Sequence, residues 1–272
     1  MGSASARLRA RCAARAHWRA LAAALSAVAA LAMLAVPAAA AEASARAAEV
    51  RLVVDDVGPF AFRDGGQVRG VSYELLRAMA ARVGHSGSVA LMPLARELEL
   101  VKRERDVIGT LVRGKEREAS YTWIVKLFDE QLVLVTMADA AVDASTLDKA
   151  RQLRVGLIRG GPSDTFAASA GFLHVDPAAS AENNANKLVA GRVDAWLTTW
   201  GVAAHAMQRI GMAPARLRHG DVVQRIPMYL AGARDMDRAE AERWRAALAA
   251  MKQDGSYQRI LRAYNYSSGD AD

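Results

Sequence analysis

The chain has 272 residues, 36 lysines and arginines against 29 acids, a net charge of +7, and a single cysteine. Five arginines (Arg7, Arg9, Arg11, Arg15, Arg19) fall before residue 20 with no acid among them; setting them aside leaves 31 basic and 29 acidic side chains, net +2, so the basicity does not point to a nucleic-acid partner. Cys12 lies in the same stretch, so the rest of the chain has no thiol for a disulfide, a metal or nucleophilic catalysis.

The arginines lead into the apolar run Leu21–Val36, then Pro37 and a row of alanines. That is the layout of a secretory signal peptide over residues 1–41, cleaved near Ala40 or Ala41. A retained anchor is the alternative, but the run is shorter than the roughly 20 residues of a span. The expectation is a periplasmic protein of about 230 residues, enough for one large domain or two small lobes.

Short apolar runs follow at intervals: "EVRLVV" (49–54), "SVALMPL" (88–94), "DVIGTLV" (106–112), "EQLVLVTM" (130–137), "LRVGLI" (153–158) and "RVDAWL" (192–197). They are rich in Val, Leu and Ile and bounded by Gly, Asp and Arg, as buried strands are. Between them lie helical patterns. Val71, Leu75, Met79 and Val83 recur every four residues and end at Gly84; "SAENNANKLVAG" opens on a Ser180 cap and closes at Gly191; Ala241, Trp244, Leu248 and Met251 mark a helix that Gly255 breaks, and Tyr257, Ile260, Leu261 and Tyr264 mark another. Strands alternating with helices predict an α/β fold with largely parallel sheets. The polar stretch 138–150 reads as the approach to a second lobe.

Several phrases then line up in order: "GPFAFRDGGQVRGVSYELLRAMAARVG", "GTLVRGKEREASYTWIVKLFDEQLVLV", "RVGLIRGGPSDTF", "NKLVAGRVDAWLT" and "LAAMKQDGSYQRILRAYN". Together they resemble the bacterial extracellular solute-binding proteins of family 3, the polar amino-acid binders of ABC transporters, over about residues 49–266. "PLARELELVKRERDV" is similar to an unassigned branch of that family. The resemblance implies a type II periplasmic-binding fold: two α/β lobes joined by two hinge strands. Lobe 1 would comprise 49–134 and a return segment 226–272, lobe 2 would comprise 138–222, and the hinges would lie near Val133–Met137 and Val222–Tyr229. It further implies a monomer that holds a small-molecule ligand between its lobes and delivers it to an ABC-type permease.

By the same resemblance Arg117, in "RGKERE", clamps a ligand carboxylate, and the chemistry suits it: a guanidinium meets a carboxylate as a planar fork, and loops at the carboxyl ends of strands are where α/β folds bind ligands. The alternative is an ion pair with Glu116 or Glu118 on a wet surface. Arg113 is a second candidate. Thr110 would offer a hydroxyl, or be an ordinary strand end. Phe60 and Phe62 flank the first loop as a ligand wall or as core. Arg96, at a helix start after Pro93, would be a further cation or a surface partner of Glu99. Ser163, at the helix start in "RGGPSD", would touch the ligand or cap the helix; the phrase lacks the Gly-Lys-Ser/Thr of a nucleotide loop. Trp123 reads as core rather than cleft, and Trp196 and Trp200 as aromatic wall or core. One departure stands out. Where amino-acid binders of the family place an Asp for the ligand ammonium, this chain has Thr199. The expected ligand is therefore a carboxylate or another small polar anion.

No cofactor or metal is expected: the five histidines are scattered without metal spacing, and no Gly-x-Ser-x-Gly elbow occurs. Two other functions share the scaffold. One is an orphan receptor presenting its ligand state to a membrane sensor. The other is an enzyme like cyclohexadienyl dehydratase, for which Glu74 or Asp56 would be the acid or base.

Overall fold

The computed structural model describes residues 50–85 and 88–266; the expected signal peptide, Cys12 and residues 267–272 lie outside them. The first lobe opens with β1 (Arg51–Asp55), whose Leu52, Val53 and Val54 are buried. A hairpin follows, β2 (Phe62–Asp64) and β3 (Gln67–Arg69), turning through Gly65 and Gly66 at φ 54° and 85°. Positive φ at both central residues is what the twist of a two-residue hairpin requires. Gly70 then lets the chain pass the first loop, since a Cβ there would lie 2.1 Å from the Phe60 carbonyl oxygen. It starts α1 (Val71–Arg82), which buries Val71, Leu75, Leu76 and Met79 on one face. β4 (Val89–Met92), α2 (Leu94–Arg103) and β5 (Val107–Val112) complete this part.

β6 (Tyr121–Met137) carries the chain into the second lobe, built from α3 (Leu147–Ala150), β7 (Arg154–Ile158), α4 (Pro162–Ala170), β8 (His174–Ala178), α5 (Ala181–Val189), β9 (Ala195–Thr199) and α6 (Trp200–Arg209). Ser180 caps α5, its hydroxyl accepting the Asn183 N–H at 3.2 Å. β10 (Leu217–Ala233) brings the chain back to α7 (Arg238–Gln253) and α8 (Ser256–Ala263). α7 packs on α1 and β6 and buries Trp244 completely.

One curled eight-stranded sheet joins the two lobes in the order β4-β1-β5-β10-β6-β9-β7-β8. β1 runs parallel to β4 and β5, and β7 parallel to β8 and β9. The centre corrects the expectation of a largely parallel sheet. β10 is antiparallel to β5 and β6, and β6 is antiparallel to β9. The reason is topological: two adjacent strands that take the chain out to the second lobe and back again must run in opposite directions. Each is 17 residues long, about three times a usual strand, because each serves both lobes. The segments expected as hinges, 133–137 and 222–229, lie within them, and the β6–β10 register shifts between His219 and Gln224 and again between Met228 and Ala231.

Candidate functional site

The carboxyl ends of β1 and β5 face the amino ends of α4 and α6 across a cleft whose free volume is about 60 Å³, room for about four to six waters or one small molecule. From the first lobe the walls are Asp55, Phe60, Thr110, Val112 and Arg117; from the second they are Ile158, Gly161, Ser163, Thr198, Thr199 and Val202. Leu132, Ile226 and Met228, on the two long strands, close the base. The cavity is thus mainly apolar with a few converging polar groups, the usual character of a small-molecule site.

Five of the residues singled out from sequence come together here: Arg117, Thr110, Phe60, Ser163 and Thr199. Arg117 follows β5 in the charged loop, and only 11% of its side chain is exposed. Its Nη2 donates to the Gly160 carbonyl at 3.0 Å, spanning the two lobes, while Nε stays 3.7 Å from Glu116. Thr110 is buried, and its hydroxyl has no partner. Phe60 has both proposed characters, lining the cleft and stacking on Phe128 at 6.2 Å. Ser163 sits in the first turn of α4, where Pro162 occupies the helix start and no side chain caps the end. Thr199 caps α6, its hydroxyl accepting the Val202 N–H at 3.4 Å.

The other three lie elsewhere. Arg113 forms a fork-to-fork pair with Glu118, at 2.8 and 2.5 Å, and sits over the Trp123 and Tyr229 rings. Phe62 packs on His205 at 4.2 Å, where the first loop meets α6; a Cβ on the nearby Gly58 would lie 2.1 Å from the His205 ring. Arg96 is exposed on α2, and Glu99 pairs with Arg103 instead. Trp196 is core, and Trp200 is 39% exposed against His219.

Two carboxylates escaped the sequence reading. Asp55 ends β1 and lines the cleft, although the sequence offered no carboxylate for a ligand ammonium once Thr199 had replaced the family's Asp. It comes from the opposite lobe. Behind it, Glu97 is fully buried on α2, its Oε1 accepting the Thr110 N–H at 2.9 Å. Burial pushes Asp55 up to about 7, the nearby Asp56 adding to the effect; burial first, and then Asp55, drive Glu97 well above the carboxylate range. A sequence signal for Glu97 did exist, since it stands one helical turn before Val101 on the buried stripe of α2. The acids considered for catalysis lie outside the cleft: Glu74 accepts the Tyr264 hydroxyl, and Asp56 is exposed.

A third buried acid, Glu130, lies on β6, where it accepts the Tyr266 hydroxyl and the Gln131 N–H. Burial raises it to about 7 against the pull of those donors and of the Thr199 hydroxyl. Tyr266 packs on Phe128 at 5.1 Å, so the return segment is tied to β6. Among the described residues no group of three or more His, Cys, Asp or Glu is placed to hold a metal, and no helix is long and apolar enough to cross a membrane.

Comparison with known proteins agrees with this architecture. No curated protein matches the chain in sequence. Among solved structures, a mutant of the arginine-binding protein ArgBP from T. maritima superposes with a TM-score of 0.69 at 18% identity, covering 79% of this chain and 94% of that one. A histidine kinase sensor domain with similarity to periplasmic binding proteins gives 0.69 at 19%, covering 80% and 97%. The ancestral amino-acid-binding protein AncCDT-1, a precursor of cyclohexadienyl dehydratase, gives 0.68 at 19%, covering 79% and 95%. The two lobes and two shared strands are those of a type II periplasmic-binding fold, and, with the family profile matching residues 50–267, the chain belongs to the bacterial extracellular solute-binding proteins, family 3.

Proposed function

We propose that this protein is exported to the periplasm, as a monomer, and captures a small carboxylate-bearing molecule between its lobes for an ABC-type uptake system. The lobes would divide as 49–134 with 226–272, and 138–222. The observation that carries the reading is Arg117: a largely buried guanidinium at the mouth of β5, already reaching the carbonyl of Gly160 in the other lobe. A ligand carboxylate entering between them would take over that fork. Thr110 and the first turn of α4 at Ser163 add donors beside it. Contacts from both lobes would favour the closed arrangement, and a permease would read that arrangement.

A thermal-shift screen tests this, with dicarboxylates, keto acids, hydroxy acids, aromatic acids and amino acids as probes. A ligand at about 100 times its Kd stabilises by about 2.7 kcal/mol, which is about 5–10 °C for a chain of this size. A shift with a carboxylate that disappears in Arg117→Ala supports the clamp. An equal shift in Arg117→Ala removes it, and a well-folded protein that no probe shifts counts against transport of this class. The competing reading is acid-assisted elimination in the same cleft, and it has a candidate group in Asp55. Assays with prephenate and arogenate are expected to show no turnover.

A further inference from the structure

We propose that Asp55 and Glu97 form one proton-holding pair at the floor of the cleft, so that the ligand's second polar group meets a carboxylic O–H rather than a negative charge. This rests on the reading of the cleft as a ligand site and narrows it: the ligand would be a small hydroxy or keto acid, its carboxylate at Arg117 and its hydroxyl or carbonyl oxygen at Asp55.

The geometry carries the argument. Asp55 is 7% exposed and faces the cleft, whereas Glu97 is fully enclosed behind it. Glu97 is fixed by the Thr110 backbone N–H on β5, which its Oε1 accepts at 2.9 Å, and Asp55 at the end of β1 acts on it electrostatically. Space for it is kept by Gly109, where a Cβ would lie 2.7 Å from Glu97 Oε1. Yet Asp55 Oδ1 and Glu97 Oε2 are both buried with no partner, as is the Thr110 hydroxyl. Two ionised carboxylates are acceptors only and cannot satisfy one another. One proton turns either of them into a donor and resolves both.

The surrounding charges do not supply another solution. Arg117 is the cation that acts on Glu97, and its guanidinium is engaged by Gly160 and Glu116. Asp56, next to Asp55, adds negative charge, and Tyr121 at the start of β6 is near Glu97 and Arg117 without adding positive charge. From the second lobe the cleft wall presents the hydroxyls of Ser163, Thr198 and Thr199 and no ionisable side chain. A second proton, on Asp55, makes the pair neutral and leaves one O–H for the cleft; in that state, beside Arg117, it has little to offer an ammonium group and suits an oxygen that accepts one hydrogen bond, with the free Thr110 hydroxyl to donate or accept beside it.

Infrared spectroscopy of the unliganded protein tests the proposal independently of any ligand, because the C=O stretch of a carboxylic acid stands clear of carboxylate and amide bands. The parent protein carries Glu130→Gln, which removes the other buried acid among the described residues. A carboxylic-acid band that persists about one pH unit above neutrality, disappears in Asp55→Asn/Glu97→Gln, and titrates at lower pH in Glu97→Gln is the expected result, since Asp55 raises Glu97 and the substitution removes the group so raised. Absence of the band in the parent at that pH overturns the proposal, and this arm needs no substitution at either carboxylate. So does a band that survives the double substitution, or a midpoint that Glu97→Gln leaves in place. Such failure would leave the Arg117 clamp standing, since the thermal-shift screen reads that separately.

Discussion

Glu130→Gln should change how stability depends on pH more than it changes stability itself. Glu130 is enclosed on β6, and burial raises it from 4.5 to about 7. In the unfolded chain it ionises near its ordinary value, so between those two limits the native state holds a proton that the unfolded state has released. Stability therefore falls as pH rises through this window, by about 1.4 kcal/mol per unit. It levels off once the native carboxyl has ionised as well. From about pH 5 to about pH 8 that amounts to about 2–3 kcal/mol, or about 5–10 °C in Tm for a chain of this length. Glutamine keeps the shape and cannot titrate, so Glu130→Gln should lack this component. The Asp55–Glu97 pair is common to both proteins and cancels in the comparison. Thermal melts of the two proteins across this range, followed by circular dichroism, read the difference directly. Curves that run parallel would show that Glu130 ionises normally and would refute the burial argument. Tyr266→Phe gives a companion result: it removes a donor that favours the ionised form, so the midpoint of the Glu130 component should move up.

Three further outcomes follow from the packing. Gly58→Ala places a methyl into the His205 ring and should cost about 1–3 kcal/mol; chemical denaturation should show His205→Ala in the same chain restoring most of it, and no restoration would remove His205 as the obstacle. Gly109→Ala pushes against Glu97 Oε1 and the Val101 side chain, each 2.7 Å from the added carbon; a loss of about 1–3 kcal/mol together with a changed titration of the carboxylic-acid band is expected, and an unchanged band would mean that Glu97 does not depend on that space. Ser180→Ala removes the cap of α5, with an expected loss of about 1 kcal/mol in urea unfolding; a neutral result would mean that packing alone holds the helix end.

Much of this molecule is legible without coordinates. The four-residue spacing of Val71, Leu75 and Met79 gave α1, and Ser180 and Gly191 bracketed α5, because capping and periodicity are local. Thr110 lies in β5, Phe60 and Arg117 in the loops that follow β1 and β5, and Ser163 and Thr199 at the starts of α4 and α6; in an α/β fold such loops and helix starts gather at one place, which is why a sequence reading collects them. Arg113, four residues before Arg117 on the same loop, is the second candidate along the chain. Only the fold gives one of them Glu118 and two aromatic rings, and the other the carbonyl of Gly160.

The sequence alone determined the family, the alternation of strands and helices, and the arginine-bearing loop as a candidate clamp. These depend on residues near one another, or on patterns of composition that repeat. The tertiary structure decided the antiparallel centre of the sheet, the pairing of Phe62 with His205 and of Tyr266 with Glu130, and above all the burial of Asp55 and Glu97. Those partners are distant along the chain, and nothing local in "VVDD" or "RELE" reveals that two strands and a helix will close on both carboxylates. Enclosure changes the chemistry of an acid, and enclosure is a property of the fold.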